Sequence, residues 1–86
     1  MSGVAGRCTV RFYAGARDAA GVAERDVDLE PGATVAEVLA TFGDAPALAR
    51  VLPRCSLLLD GVAVRSPALR VAAGSCLDVL PPFAGG

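Results

Sequence analysis

Histidine is absent from this 86-residue chain, and so is lysine; all eight basic residues are arginine. Without an imidazole, the Ser–His and Cys–His pairs that activate nucleophiles cannot be assembled. Without lysine, the chain has no side-chain amine of its own to capture an activated carboxyl group. Cysteine is scarce: Cys8, Cys55 and Cys76 are odd in number and far apart. Their spacing fits neither a paired-cysteine zinc site nor an iron–sulfur run, so buried, reduced thiols acting as small apolar residues are expected, with no metal and no bound cofactor. No uncharged apolar stretch approaches the ~18 residues of a membrane span. With a net charge of −1 and scattered arginines there is no basic stripe to neutralise phosphates. Neither a membrane nor a nucleic acid is therefore expected as a partner. The opening Met1–Arg7 lacks the apolar stretch of a signal peptide, which predicts a cytoplasmic location.

What is present is apolar residues, 53% of the chain, enough for one small core. The reading is a single domain over 1–86, with 1–6 flexible and 81–86 an extended tail. Cys8–Tyr13 alternates, Cys8, Val10 and Phe12 facing one way and Thr9, Arg11 and Tyr13 the other, which predicts a half-buried strand. Ala14–Gly21 breaks the pattern and is expected to be a loop or a single helical turn. Alternation resumes at Glu24, with Val27 and Leu29 inward and Asp26, Asp28 and Glu30 outward, a charged outer face that guards against edge pairing.

After Pro31-Gly32, the run Thr34-Val35-Ala36-Glu37 carries a capping box. Val35, Val38, Leu39 and Phe42 then fall on one helical face, and Gly43 offers a stop. Asp44-Ala45-Pro46 reads as the cap of a short second helix with Leu48, Val51 and Leu52, ended by Pro53. Ser56–Leu59 and Val62–Val64 read as strands joined by an Asp60-Gly61 turn. Arg65–Ala73 is irregular. Cys76–Leu80 is the last strand, with Leu77 and Val79 inward, and Pro81-Pro82 ends it. This order gives an α+β class with ubiquitin-like β-grasp topology: a mixed sheet of about five strands curled around one main helix, since a single helix covers one sheet face. A flexible Gly-Gly tail follows.

The chain ends in Pro81-Pro82-Phe83-Ala84-Gly85-Gly86. A terminus without side chains can enter a narrow channel and present a bare carboxylate. Together with Val10–Ala14, Arg17-Asp18, Ala20-Gly21, Pro31–Val35, Leu57–Val62 and Gly74–Leu80, this ending resembles the MoaD/ThiS-type sulfur carriers, and most of all the small subunit of molybdopterin synthase. Three positions depart from that pattern: Asp60 stands for the usual hairpin Asn, Ser75 for the Asp after Gly74, and Phe83 for Val. Asp and Ser are ordinary turn residues, whereas Phe83 must pass into a partner's channel.

The resemblance implies a chain that is not an enzyme alone. The carboxylate of Gly86, with Gly85 behind it, would be adenylated with ATP by a MoeB-like relative of ubiquitin-activating enzymes. A sulfur donor protein would convert it to a thiocarboxylate, which would deliver sulfur to cyclic pyranopterin monophosphate inside a MoaE-like large subunit. Pro82–Gly86 spans about 16–18 Å when extended, and Pro81-Pro82 stiffens its base. Tyr13 and Leu80, apolar residues facing outward, are expected to meet near the tail's root and to dock the partner. Ala63 would extend that patch, and Arg17 could pair with a partner carboxylate. Three alternatives stay open: a carrier for thiamine thiazole or cysteine synthesis, a ubiquitin-like modifier joined through Gly86 to lysines, and a plain interaction module.

Overall fold

The computed structural model describes residues 5–81. In chain order the elements are β1 (Gly6–Phe12), α1 (Ala14–Ala20), β2 (Glu24–Leu29), α2 (Val35–Ala40), α3 (Pro46–Val51), a 3₁₀ turn (Leu52–Arg54), β3 (Ser56–Leu59), β4 (Val62–Ala63) and β5 (Cys76–Leu80). The five strands form one sheet in the order β2-β1-β5-β3-β4. β1 runs parallel to β5, and the other neighbours are antiparallel. This is the mixed β-grasp sheet that the element order predicts.

The register aligns the apolar rows. Val10 lies beside Leu77 and Phe12 beside Val79, while Leu57 and Leu59 flank the same two β5 residues from β3. The face they build is closed by Val35, Val38, Phe42 and Leu48, and the Phe12 and Phe42 rings meet edge to face at 5.4 Å. Truncating a fully buried residue such as Leu77 to Ala costs about 2–5 kcal/mol, a large share of the ~5–15 kcal/mol that holds such domains folded.

The capping box at the start of α2 forms as expected. The Thr34 hydroxyl accepts from the Glu37 N–H at 3.3 Å, and the Glu37 carboxylate accepts from the Thr34 N–H at 3.1 Å. Asp60 (φ 50°) and Gly61 (φ 82°) are both left-handed, the geometry of a tight two-residue hairpin turn.

Other elements differ from expectation. Ala14–Ala20 is a seven-residue helix rather than a loop or one turn. Alanine pays almost no side-chain entropy in a helix, and Gly21 closes the helix in the left-handed conformation, its N–H donating to the Arg17 carbonyl. Among the described residues, α1, α2 and α3 run seven, six and six residues, so α2, which supplies Val35 and Val38 to the core, is joined by the expected short second helix α3 and by α1. α2 ends at Ala40, before Gly43, because its last turn tightens: Thr41, Phe42 and Gly43 each donate to a carbonyl three residues back. Asp44 does not cap α3. Ala45 takes that position without a side-chain bond, and Pro46 supplies the preset φ. Pro53 lies inside the 3₁₀ turn, where an N–H would lack a partner anyway. β1 starts at Gly6, two residues before the alternation begins, and stops at Phe12; β4 stops at Ala63.

Of the three thiols only Cys8 is buried; Cys55 and Cys76 are half-buried, and all three are unbridged. Among the described residues no helix is long and apolar enough to cross a membrane.

Candidate functional site

Because β1 and β5 are parallel neighbours, their C-terminal ends lie at the same end of the sheet. The Phe12–Val79 pairing puts Tyr13 next to Leu80, and the Tyr13 N–H donates to the Val79 carbonyl at 3.1 Å. Tyr13 is extended (φ −120°, ψ 145°), and Ala14 then turns the chain sharply at φ 48° into α1. Alternation after the buried Phe12 turns the Tyr13 side chain outward, and it is 40% exposed. Leu80 beside it is half-buried.

Pro81, also half-buried, sits over the start of α1, where a β-carbon placed on Gly15 would touch its ring at 4.0 Å. From there the chain continues to Pro82, Phe83, Ala84, Gly85 and Gly86, which lie outside the described residues.

Ala63 is not adjacent to Tyr13 and Leu80. It pairs with Leu58, which pairs with Asp78, which pairs in turn with Arg11. At a strand spacing of about 4.8 Å, this row spans roughly 14 Å across the sheet. Leu58 is the link between Ala63 and Leu80 and belongs to the patch. The unbroken run Leu57-Leu58-Leu59 gave no alternation to mark it as outward-facing. Arg17 lies on α1, exposed and away from this row; the ion pairs among the described residues are Arg7–Asp28 and Arg11–Asp78, and it joins neither.

The outer face therefore carries an ion pair flanked by the uncharged Tyr13, Leu58 and Leu80 on one side and by the β2 carboxylates Glu24 and Asp26 on the other. Arg11 Nε lies 3.0 Å from Asp78 Oδ1. That hydrogen bond, reinforced by the carboxylate's charge, raises the guanidinium's pKa further. The Cys76 thiol sits 3.5 Å from the same oxygen. Burial first, then the Asp78 carboxylate, push the Cys76 thiol above its ordinary range, and burial does the same to Cys8 and Cys55.

A raised thiol pKa leaves less thiolate at any given pH. Iodoacetamide at pH 8 should therefore modify Cys76 more slowly in the native protein than in the urea-unfolded chain, and Cys8 only on unfolding. Peptide-resolved alkylation rates check this; equal native and unfolded rates would contradict the burial argument. Among the described residues, burial thus disfavours each of the three thiols as a nucleophile. Among the described residues no cluster of His, Cys, Asp or Glu could hold a metal ion.

A mixed five-stranded sheet with its first and last strands parallel at the centre, three short helices on one face and a tail leaving the central strand defines a ubiquitin-like β-grasp protein. The sequence matches the ThiS family over residues 10–86, and the chain belongs to that family, whose small ubiquitin-fold proteins are of the sulfur-carrier or modifier kind. Among solved structures, SAMP1 of Haloferax volcanii is 31% identical with a TM-score of 0.81, covering 94% of this chain and 100% of that one. The Haloferax volcanii HVO 2177 protein is 26% identical with a TM-score of 0.82, over 100% of this chain and 91% of that one. A likeness in fold alone extends to a Helicobacter pylori complex of subunits 1 and 2 of molybdopterin-converting factor, at 20% identity and a TM-score of 0.67, covering 93% of this chain and 99% of that one. Among curated proteins, no sequence matches the chain.

Proposed function

We propose that this protein is the sulfur-carrying small subunit of a molybdopterin synthase. The observation that carries the reading is the apolar pair of exposed Tyr13 and half-buried Leu80, set where the last strand hands over to the sequence ending in Gly85-Gly86. A carboxylate is a poor electrophile with a bad leaving group, so it must first be activated. Its oxygen attacks the α-phosphorus of ATP on an adenylyltransferase, and pyrophosphate leaves. The terminal sulfur of a persulfide on a donor protein then attacks the Gly86 carbonyl and displaces AMP. A second thiol cleaves the resulting acyl disulfide, forming a disulfide with the donor and releasing the thiocarboxylate. Within the large subunit, that sulfur passes to cyclic pyranopterin monophosphate, two loaded carriers serving each dithiolene.

Both partners must exclude water, or the adenylate and the thiocarboxylate hydrolyse. A buried site requires a thin arm, and a side chain at position 86 would crowd attack on the carbonyl. The rigid Pro81-Pro82 base lowers the entropy lost on docking. Tyr13, Leu58, Ala63 and Leu80 form the contact surface, with Arg11–Asp78 beside it; Arg17 lies outside that row and has the weakest claim to contact. The missing lysines keep the activated end from being captured within its own chain. The family match through residue 86 and the fold shared with a chain of the Helicobacter pylori complex support this reading.

A modifier function is the second reading, favoured by the identity with SAMP1, a small archaeal modifier protein. One experiment separates them: affinity-tagged protein is recovered from cells holding a candidate large subunit, and bound species are identified by mass spectrometry. The carrier reading expects the large subunit, held noncovalently. The modifier reading expects lysines bearing residues 71–86, because Arg70 is the last site trypsin can cut.

A further inference from the structure

Among the described residues the sheet ends in two edge strands, the six-residue β2 and the two-residue β4, and the longer is β2. β2 stands first in the strand order, so among the described residues nothing pairs with its second side. The Phe12 N–H donates to the Ala23 carbonyl at 2.8 Å, making that a hydrogen-bonded pair. Bonded and non-bonded pairs alternate along an antiparallel ladder. Arg25, Val27 and Leu29 therefore direct their backbone groups to β1, and Glu24, Asp26 and Asp28 direct theirs past the edge. A six-residue strand with free donors and acceptors is a template for another strand.

A trough runs beside that template. A cleft of about 220 Å³ lies between β2 and α2, floored by Leu29, Ala33 and Val38 and rimmed by Asp28, Glu30 and Glu37. A second, of about 230 Å³, shares Asp28 and Thr41 with it and continues the groove past Val27 and Asp26 to Arg25. The Arg25 guanidinium lies 5.5 Å from the centre of the Phe42 ring, which holds its charge against the protein. Asp26 accepts from the Thr9 hydroxyl and Asp28 pairs with Arg7, each through a single carboxylate oxygen. Carboxylates thus dominate the rim, while the floor is apolar.

We propose that the β2 edge receives an extended basic segment of a partner protein as a sixth strand. Every second side chain of the segment, arginine or lysine, would lie beside Glu24, Asp26 and Asp28 on the outer face. The intervening apolar side chains would enter the trough over Leu29 and Val38. Alternation along a strand makes this division compulsory. The same carboxylates oppose pairing with a second copy, because two β2 edges would bring like charges together. This edge lies two strands from β5, and the proposal stands whether or not sulfur chemistry does.

The test uses the full-length, isotope-labelled chain and an end-blocked peptide of about seven residues alternating arginine and valine, long enough to cover β2. On titration, the Asp26 and Asp28 amides should exchange with solvent at least ~10-fold more slowly, as newly bonded donors do. A glutamate–valine peptide, and an arginine–valine peptide N-methylated at its bonding amides, should bind at least ~10-fold more weakly. Asp26→Pro should lose the interaction while keeping the β1 ladder, because the N–H it removes faces the open edge; the N-methylated peptide gives the same information without altering the fold. Three results would overturn the proposal: equal binding of the control peptides, perturbations centred on Tyr13 and Leu80 instead of β2, or no binding at about 1 mM peptide, the millimolar limit of a weak complex.

Discussion

Removing Gly85 and Gly86 should abolish sulfur transfer, down to the rate seen without the carrier, and should leave the fold as stable as before. The loss would be total because the proposed reacting carbonyl is gone, while the core residues Val10, Val35, Leu77 and Val79 are untouched. The expected change in stability is below ~0.5 kcal/mol, or less than about 4 °C in the unfolding temperature of so small a domain. Adding one alanine after Gly86 should be nearly as damaging, since it displaces the carbonyl and puts a methyl group where it would crowd attack. Assay of the complete pathway beside a thermal melt checks both statements. Transfer that survives truncation would remove the tail from the mechanism.

The second large effect belongs to the docking face. Tyr13→Asp should weaken binding to the large subunit by at least ~30-fold, since aromatic anchors at interfaces are worth about 2 kcal/mol or more. A carboxylate there also faces Leu80 and lies near Asp78, which are strand neighbours or one row away. Tyr13 is already 40% exposed, so the fold should survive. Leu69→Asp supplies the control: Leu69 is comparably exposed at 43%, but its carbonyl bonds the Val35 N–H at the start of α2, on the opposite side of the sheet. Affinity measured by titration calorimetry should fall for the first variant and hold for the second. Equal affinities for both would remove the outer face from the interface.

The strands were legible in the sequence because each buries one face only, so Cys8-Val10-Phe12 and Leu77-Val79 announce themselves by alternation. The capping box was legible because its two partners sit at a fixed spacing. α1 was not, because its one buried side chain, Ala16, is too small to produce an apolar period. The early end of α2 follows from a change in hydrogen-bond pattern that no single residue signals. Within the site, the meeting of Tyr13 and Leu80 followed from topology, since a β-grasp sheet places its first and last strands together. The role of Leu58 did not, because three consecutive leucines hide which one faces outward. Cys76 was expected to be buried like Cys8, but it lies on the outer face, where Asp78 reaches it.

The most direct test is the intact mass of the protein after incubation with ATP, its activating enzyme and a sulfur donor, followed by fragmentation to locate the change. Exchange of one oxygen for one sulfur, confined to Gly86, is the predicted result. A pathway that runs while the terminal carboxylate stays unmodified, or sulfur added to a cysteine in place of an exchange at the terminus, would contradict the account.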